Sequence, residues 1–264
     1  MKQGVAICHG ECRIGGPCEP GWWGGWVVVG GSLSTELGRL LPHPVLEAVP
    51  YKSHKDRINI HGVFRPSTES GCDEPTRGSY RKTALDASFN ALGTEHYLLT
   101  ENNEAVRDMA GVVPYDAIVI AVNHERHGGG GLYNTYAILT VDHKWVGHLL
   151  LHEVGHSLAG LADEYYSSTP TAGLAYFPAG VEPREPNITA LLDPANVKWK
   201  ALATPGVSIP TPWGQDQFDA LIEQERFVEA SAHLADPALR ETLGGRSRAP
   251  DTNHPGSIGR YWTV

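Results

Sequence analysis

The run His152-Glu153-Val154-Gly155-His156 is the feature that most constrains how this chain can fold. It lies in the stretch 144–159, where apolar residues recur at the spacing of one helix face, and Gly160 follows as a stop signal. Two histidines four residues apart lie one turn apart on the same face of a helix. The run therefore predicts a helix over 144–159 that presents two imidazoles to one metal ion.

The spacing suits zinc, which histidine nitrogens bind at about 2.0–2.1 Å. Glu153, beside the first histidine, can face a water molecule at the metal instead of the metal itself, and it fits a general base. The pattern H-E-x-x-H also arises by chance in helices, and two ordinary histidines are the alternative interpretation. A strand pattern before the run, with Gly160 and an acidic pair after it, favours the metal site.

A catalytic zinc site needs a third protein ligand and an open position. In a continued helix, Asp163 would lie about 10 Å along the axis from His156 at 1.5 Å per residue. The chain must therefore turn back, and Gly160 can adopt the positive φ that such a turn requires. Asp163 is the favoured third ligand, and Glu164 is the alternative. His148 lies one turn too far back to share a metal with His156.

Strand and helix patterns alternate on the way to this helix. The alternation predicts an α/β (α+β) fold, with a mixed twisted sheet and helices packed on it. An irregular, Gly/Trp-rich arm is expected over 1–40, and one domain over 41–264, with an upper part to about 160 and a lower part over 161–264. The predicted strands are 57–64, 96–99, 117–122 and 133–141, and the predicted helices besides 144–159 are 80–92, 103–110 and 216–243.

Composition excludes two classes of partner. The formal net charge of −9 argues against nucleic acid, which requires a basic face. No segment approaches the roughly 18–20 apolar residues that span a bilayer. The first residues also lack the pattern of a secretory leader. Two interpretations stay open here: an intracellular protein, or a natural start other than residue 1.

The string HEVGHSLAGLADEYY at 152–166 resembles the zinc site of the bacterial IgA-cleaving metallopeptidases, the igalysins of the metzincin clan. The likeness covers roughly residues 45–215. Upstream it includes the segments 66–71, 114–116 and 122–123 and the glycine run 128–131. Downstream it continues into Pro186-Asn187-Ile188-Thr189 and Lys198-Trp199-Lys200. Asn187-Ile188-Thr189 also fits a glycosylation sequon, although chance and family structure explain it better.

The resemblance implies a zincin-like catalytic domain that is extracellular or bound to the cell surface and hydrolyses internal peptide bonds of proteins. It implies Zn²⁺ held by His152, His156 and Asp163, with Glu153 as the catalytic base. It also makes 133–141 the upper edge strand of the cleft, to which an extended substrate can add through main-chain hydrogen bonds. For the glycine run, a narrow cleft rim and a plain flexible loop are both open.

The chain departs from the metzincin pattern after the third ligand. Metzincins place a methionine turn beneath the zinc, whereas the methionines of this chain, Met1 and Met109, both precede the motif. The family's cysteine- and methionine-containing C-terminal segment is missing as well. We therefore expect a C-terminally shortened member of the family.

Two other functions compete with this interpretation. In a gluzincin-like peptidase the third ligand is a Glu on a later helix, and Glu182 or Glu185 would be the candidates, but both lie in proline-rich sequence. The other competitor is a non-catalytic binding or adhesion module that keeps zinc for structure. Retention of Glu153 favours the enzyme, because structure alone requires no base at this position.

Overall fold

The computed structural model describes residues 4–8, 24–30, 42–142, 144–163, 180–202, 205–206 and 214–234. The chain divides into two compact units, Met1–Gly160 and Leu161–Val264. No helix in these described ranges is long and apolar enough to cross a membrane.

The first unit contains a six-stranded mixed sheet. Four neighbouring strands, β3, β2, β4 and β6, run parallel, while β1 and β5 pair antiparallel at the two edges. The strands are β1 Gly4–Cys8, β2 Gly24–Gly30, β3 Ile58–Phe64, β4 Ala117–Val122, β5 Gly129–Leu132 and β6 Tyr136–Thr140. Their order across the sheet is β1-β3-β2-β4-β6-β5.

Strand β4 is buried on both faces, as its unbroken apolar sequence predicts. Its residues alternate between two apolar layers because successive side chains of a strand point to opposite faces. Ile118 and Ile120 belong to one layer, and Val119 and Ala121 belong to the other. Neighbouring β6 divides in the same way, with Ile138 in the first layer and Leu139 in the second.

The described part of this unit contains three α-helices: α1 Pro42–Glu47, α2 Asn103–Ala110 and α3 Val146–Ala159. Helix α2 has the predicted bounds, and it begins where the Asn102 side chain accepts a hydrogen bond from the Ala105 N–H (3.0 Å). Its apolar face packs in the layer of Ile118, while α3 packs in the layer of Val119. The predicted α/β class, with helices over a mixed sheet, is confirmed.

The predicted helix over 80–92 is wrong. Leu85 and Phe89 are buried as expected, but Leu92 is 77% exposed. The backbone of Ser88 exchanges hydrogen bonds with Leu99, across to a neighbouring segment instead of along a helix. Leu85 and Phe89 have the spacing of a helix face, but an irregular segment carries them into the core. Asp86, Asn90 and Leu92 have positive φ in this segment. The strand expected over 96–99 consists only of isolated bridges, at Tyr97 and Leu99.

The N-terminal region is not wholly irregular, contrary to the expectation for 1–40. It supplies β1 and β2, and β2 lies between β3 and β4 in the parallel part of the sheet. The run Trp26-Val27-Val28-Val29 is the reason, because four β-type apolar residues suffice for a central strand. The remaining residues of this arm lie outside the described ranges.

The edge strand is also placed differently from the expectation. The predicted strand over 133–141 shortens to β6, which lies between β4 and β5 inside the sheet. The glycine run forms the edge strand β5, and a turn closed by the Thr135 N–H on the Leu132 carbonyl (2.9 Å) leads into β6. The flexible-loop interpretation of the glycines is therefore wrong.

The described residues of the second unit include two short helices, α4 Gln215–Glu223 and α5 Phe227–Leu234. The predicted helix 216–243 is interrupted between them, where Glu225 has a positive φ of 55°. Residues 235–243 of that prediction lie outside the described ranges.

Candidate metal centre

Helix α3 carries both predicted histidine ligands, and it begins two residues later than expected. The Nε2 atoms of His152 and His156 are 3.1 Å apart, and the two rings lie edge to face at 85°. Two ligands at about 2.0–2.1 Å from one zinc ion, at a tetrahedral angle, are separated by about 3.3 Å. The imidazoles therefore fit a single ion.

Gly160 ends α3 in the left-handed conformation, with φ of 63° and ψ of 30°. Its N–H donates to the carbonyl of His156 (3.0 Å), which closes the last turn of the helix. The predicted turn of the chain at Gly160 is confirmed. Residues 161–163 then continue without helical or strand structure.

Asp163 is brought close to the two histidines by this turn. One potential ligand atom from each of His152, His156 and Asp163 lies within 4.8 Å of the others. Two neutral imidazole nitrogens and a carboxylate oxygen are a donor set that zinc accepts, and they leave a further position open. The residues present thus fit the metal that the sequence predicts.

None of the other candidate ligands that the structure describes belongs to this group. His148 is exposed on the first half of α3. Glu164 lies outside the described residues, so the preference for Asp163 over Glu164 as the third ligand stays a prediction. Glu182, a candidate of the gluzincin-like alternative, accepts a hydrogen bond from the Ala190 N–H (3.1 Å) and pairs with Lys198 (3.4 Å).

The Glu153 side chain is buried, with only 6% exposed, and lies against the glycine strand β5. A Cβ at Gly129 would be 2.5 Å from Glu153 Oε1, and a Cβ at Gly131 would be 2.5 Å from the Cβ of His156. These distances are shorter than any ordinary contact, so a side chain at either position would have to displace its neighbours. The glycines therefore allow β5 to approach the face of α3 that carries Glu153 and His156.

A separate polar cluster lies near the carboxyl end of β4, around Glu74. The Glu74 carboxylate accepts a hydrogen bond from Arg126 Nη1 (2.9 Å) and lies 3.2 Å from His124 Nε2 and 3.1 Å from Arg77 Nη1. Burial by itself raises the pKa of Glu74. The hydrogen bond from Arg126 and the charges of His124 and Arg77 lower the pKa by more than burial raises it, so the pKa lies below its usual value.

Two contributors to the site were missed by sequence reasoning. Nothing in the sequence except the glycine run itself indicated that this run contacts α3. The Asn187 amide holds the backbone of Ala162, beside Asp163, through two hydrogen bonds. The sequence around Asn187 suggested only a family segment and a glycosylation sequon.

The comparisons with known proteins agree with the resemblance drawn from the sequence. A search of curated proteins found no match. The family model described as IgA Peptidase M64 matches residues 38–236, which include every candidate metal ligand and most of the chain. The chain therefore belongs to the IgA peptidase M64 family, and it is a peptidase.

Proposed function

We propose that this peptidase is a zinc-dependent endopeptidase of the zincin-like, metzincin type. His152, His156 and Asp163 are its metal ligands, and Glu153 is its general base. The observation that carries the proposal is the grouping of the three potential ligand atoms within 4.8 Å, next to the buried side chain of Glu153.

Zinc, when bound, supplies a Lewis acid that polarises the scissile carbonyl and acidifies a water molecule. Glu153 accepts the proton of the attacking water and later delivers it to the leaving amine. Burial of Glu153 against β5 restricts its carboxylate to few positions, which suits a base that must meet one water.

The substrate in this proposal is a protein segment in extended conformation. The edge of the sheet nearest α3 is β5, so we place main-chain pairing of the substrate on β5 and not on 133–141. The carbonyl of Gly129 already accepts a hydrogen bond from the Leu98 N–H (3.1 Å), which leaves the stretch from Gly131 onward as the pairing edge. The family resemblance supports an extracellular or cell-surface location.

The test compares the wild-type protein with Glu153→Gln. Both should bind one zinc per chain, measured by metal analysis, because Glu153 is not a ligand. Hydrolysis of casein or gelatin should fall by about 10²–10⁴-fold in the variant, the usual contribution of a general base. Glu104→Gln, on the exposed surface of α2, is the matched control and should retain full activity.

Two results would contradict the proposal. A protein that binds no zinc at the histidines would overturn the metal site itself. Wild type and Glu153→Gln that are equally inert, with zinc bound in both, would favour the non-catalytic binding module.

A further inference from the structure

We infer that Asn187 is a positioning residue that aims Asp163 at the metal, an inference that rests on the proposed zinc site. The Asn187 side chain makes two hydrogen bonds with the backbone of Ala162. Its Oδ1 accepts from the Ala162 N–H at 2.9 Å, and its Nδ2 donates to the Ala162 carbonyl at 2.9 Å.

The second of these bonds acts directly on Asp163. The carbonyl of Ala162 and the amide nitrogen and Cα of Asp163 belong to one planar peptide group. Fixing that carbonyl therefore fixes the plane from which the Asp163 side chain projects. The stretch 161–163 has neither helical nor strand structure, so regular secondary structure does not orient it.

The loop that carries Asn187 is itself held by Lys198. The ammonium group donates to the carbonyls of Pro183, Glu185 (2.8 Å) and Ile188 (2.9 Å), on both sides of Asn187. Ile188 is fully buried and Thr189 is 3% exposed, which anchors the loop on its downstream side. Asn187 is thus presented by a fixed backbone, as a positioning residue requires.

Glycosylation of a sequon would modify the same side-chain nitrogen, Nδ2. In the fold this nitrogen donates to the Ala162 carbonyl, and that contact carries the positioning role that we infer.

The test is a double-mutant cycle on zinc affinity, measured by competition with a chelator for wild type, Asn187→Ala, Asp163→Ala and the double variant. Loss of an outer hydrogen-bonding partner costs about 10–100-fold in metal affinity. Asn187→Ala should weaken zinc binding by that factor when Asp163 is present. In the Asp163→Ala background the same change should have no further effect, because the residue it positions is gone.

Two additional variants separate positioning from folding. Asn187→Asp keeps the shape and the acceptor Oδ1 but turns a carboxylate oxygen towards the Ala162 carbonyl, so it should also weaken zinc binding in the folded protein. Asn196→Ala, at an exposed asparagine of the same unit, is the matched control and should leave the affinity unchanged. Thermal unfolding of the metal-free variants reports any loss of stability, which should be equal with and without Asp163.

The outcomes distinguish this inference from the proposed function. If Asp163→Ala weakens zinc binding but the asparagine variants do not, the inference is overturned and the ligand set stands. Equal weakening by Asn187→Ala in both backgrounds would show a general structural role and also overturn it. If Asp163→Ala leaves the affinity unchanged, the assignment of Asp163 fails and the inference fails with it.

Discussion

Glu74 and Glu153 are both buried carboxylates of the first unit, with 8% and 6% of their surface exposed. Glu74 faces two arginines and a histidine, which hold it in the charged form and tie the loop at 74 to the end of β4. Glu153 instead lies against the α-carbons of a glycine strand, beside two potential metal ligands. These neighbours give Glu74 a role in stability, and they are compatible with the proposed role of Glu153 as the general base.

Replacing Glu74 by Gln should lower the free energy of unfolding by about 1.5–3 kcal/mol at pH 7, the usual loss for a hydrogen bond to a charged group. The folded-state pKa of Glu74 is below its ordinary value of 4.5. Its contribution is therefore complete above about pH 4.5 and is lost as the pH falls through the folded-state pKa. Urea unfolding of wild type and variant at several pH values measures this.

The control for Glu74 is Glu47→Gln, which breaks an exposed ion pair with Lys52. Such a pair contributes about 0–1 kcal/mol, so the control should unfold almost as the wild type does. A stability difference for Glu74→Gln that stays constant down to pH 3 would contradict the electrostatic explanation.

Single residues of the site differ in how far the sequence predicts them. His152 and His156 could be placed on one helix face because their four-residue spacing is local information. Gly160 was equally predictable, since a left-handed helix end favours glycine. Asn187 was not, because its partner Ala162 lies 25 residues away and no periodicity connects them.

At the scale of elements, the contact between α3 and β5 determines where the side chain of Glu153, the proposed catalytic base, can lie. Gly129 faces the carboxylate of Glu153, and Gly131 faces the helix backbone at the Glu153 carbonyl, 2.6 Å from a Cβ placed there. The two glycines therefore control different parts of the site. Gly129 leaves room for the side chain of Glu153, whereas Gly131 allows the backbones of α3 and β5 to approach each other.

Gly129→Ala should leave zinc affinity unchanged and lower kcat by about 10²-fold, because a displacement of about 1 Å at a catalytic group costs that much. Gly131→Ala should lower kcat and, unlike Gly129→Ala, should also weaken zinc binding, because the added methyl group would push against His156 and the backbone of α3. Hydrolysis rates and chelator competition on both variants measure the difference.

Gly93→Ala is the control for these substitutions, because no atom lies within 4 Å of a Cβ placed there. It should lower stability through its positive φ without changing kcat. Equal kcat for Gly129→Ala and wild type would contradict the positioning of Glu153 by β5.

Helices and strands were predicted correctly where the local sequence signals agree with the pattern of burial. Asn103–Ala110 was predicted to the residue, since Asn102 caps a helix whose apolar face packs on the sheet. The helix prediction for 80–92 failed because the backbone of Ser88 pairs with Leu99, and because Asn90 and other residues of the segment have positive φ. The glycine strand was missed because glycine is disfavoured in strands, so the run carries no local strand signal.

For the whole molecule, the position of β2 has the largest consequence. The family match begins at residue 38, but β2 precedes it and separates β3 from β4 in the sheet. A chain that starts at residue 38 would lose β1 and β2, so β3 would lack both of its partners and β4 would pair with β6 alone. Unpaired buried backbone groups are costly.

Deleting residues 1–37 should therefore abolish cooperative thermal unfolding, as measured by circular dichroism. A chain that starts at residue 23 keeps β2 and, of the strands that the structure describes, loses the edge strand β1. It should retain a cooperative transition at lower temperature. If the chain without residues 1–37 unfolded cooperatively at the wild-type midpoint temperature, β2 would not be needed for the sheet.

Anomalous scattering from crystals of the zinc-supplemented protein, recorded above and below the zinc absorption edge, tests the central claim most directly. We predict one peak in contact with the Nε2 atoms of His152 and His156 and with a carboxylate oxygen of Asp163. The absence of a peak at the two histidines would contradict the account of this chain as a zinc peptidase.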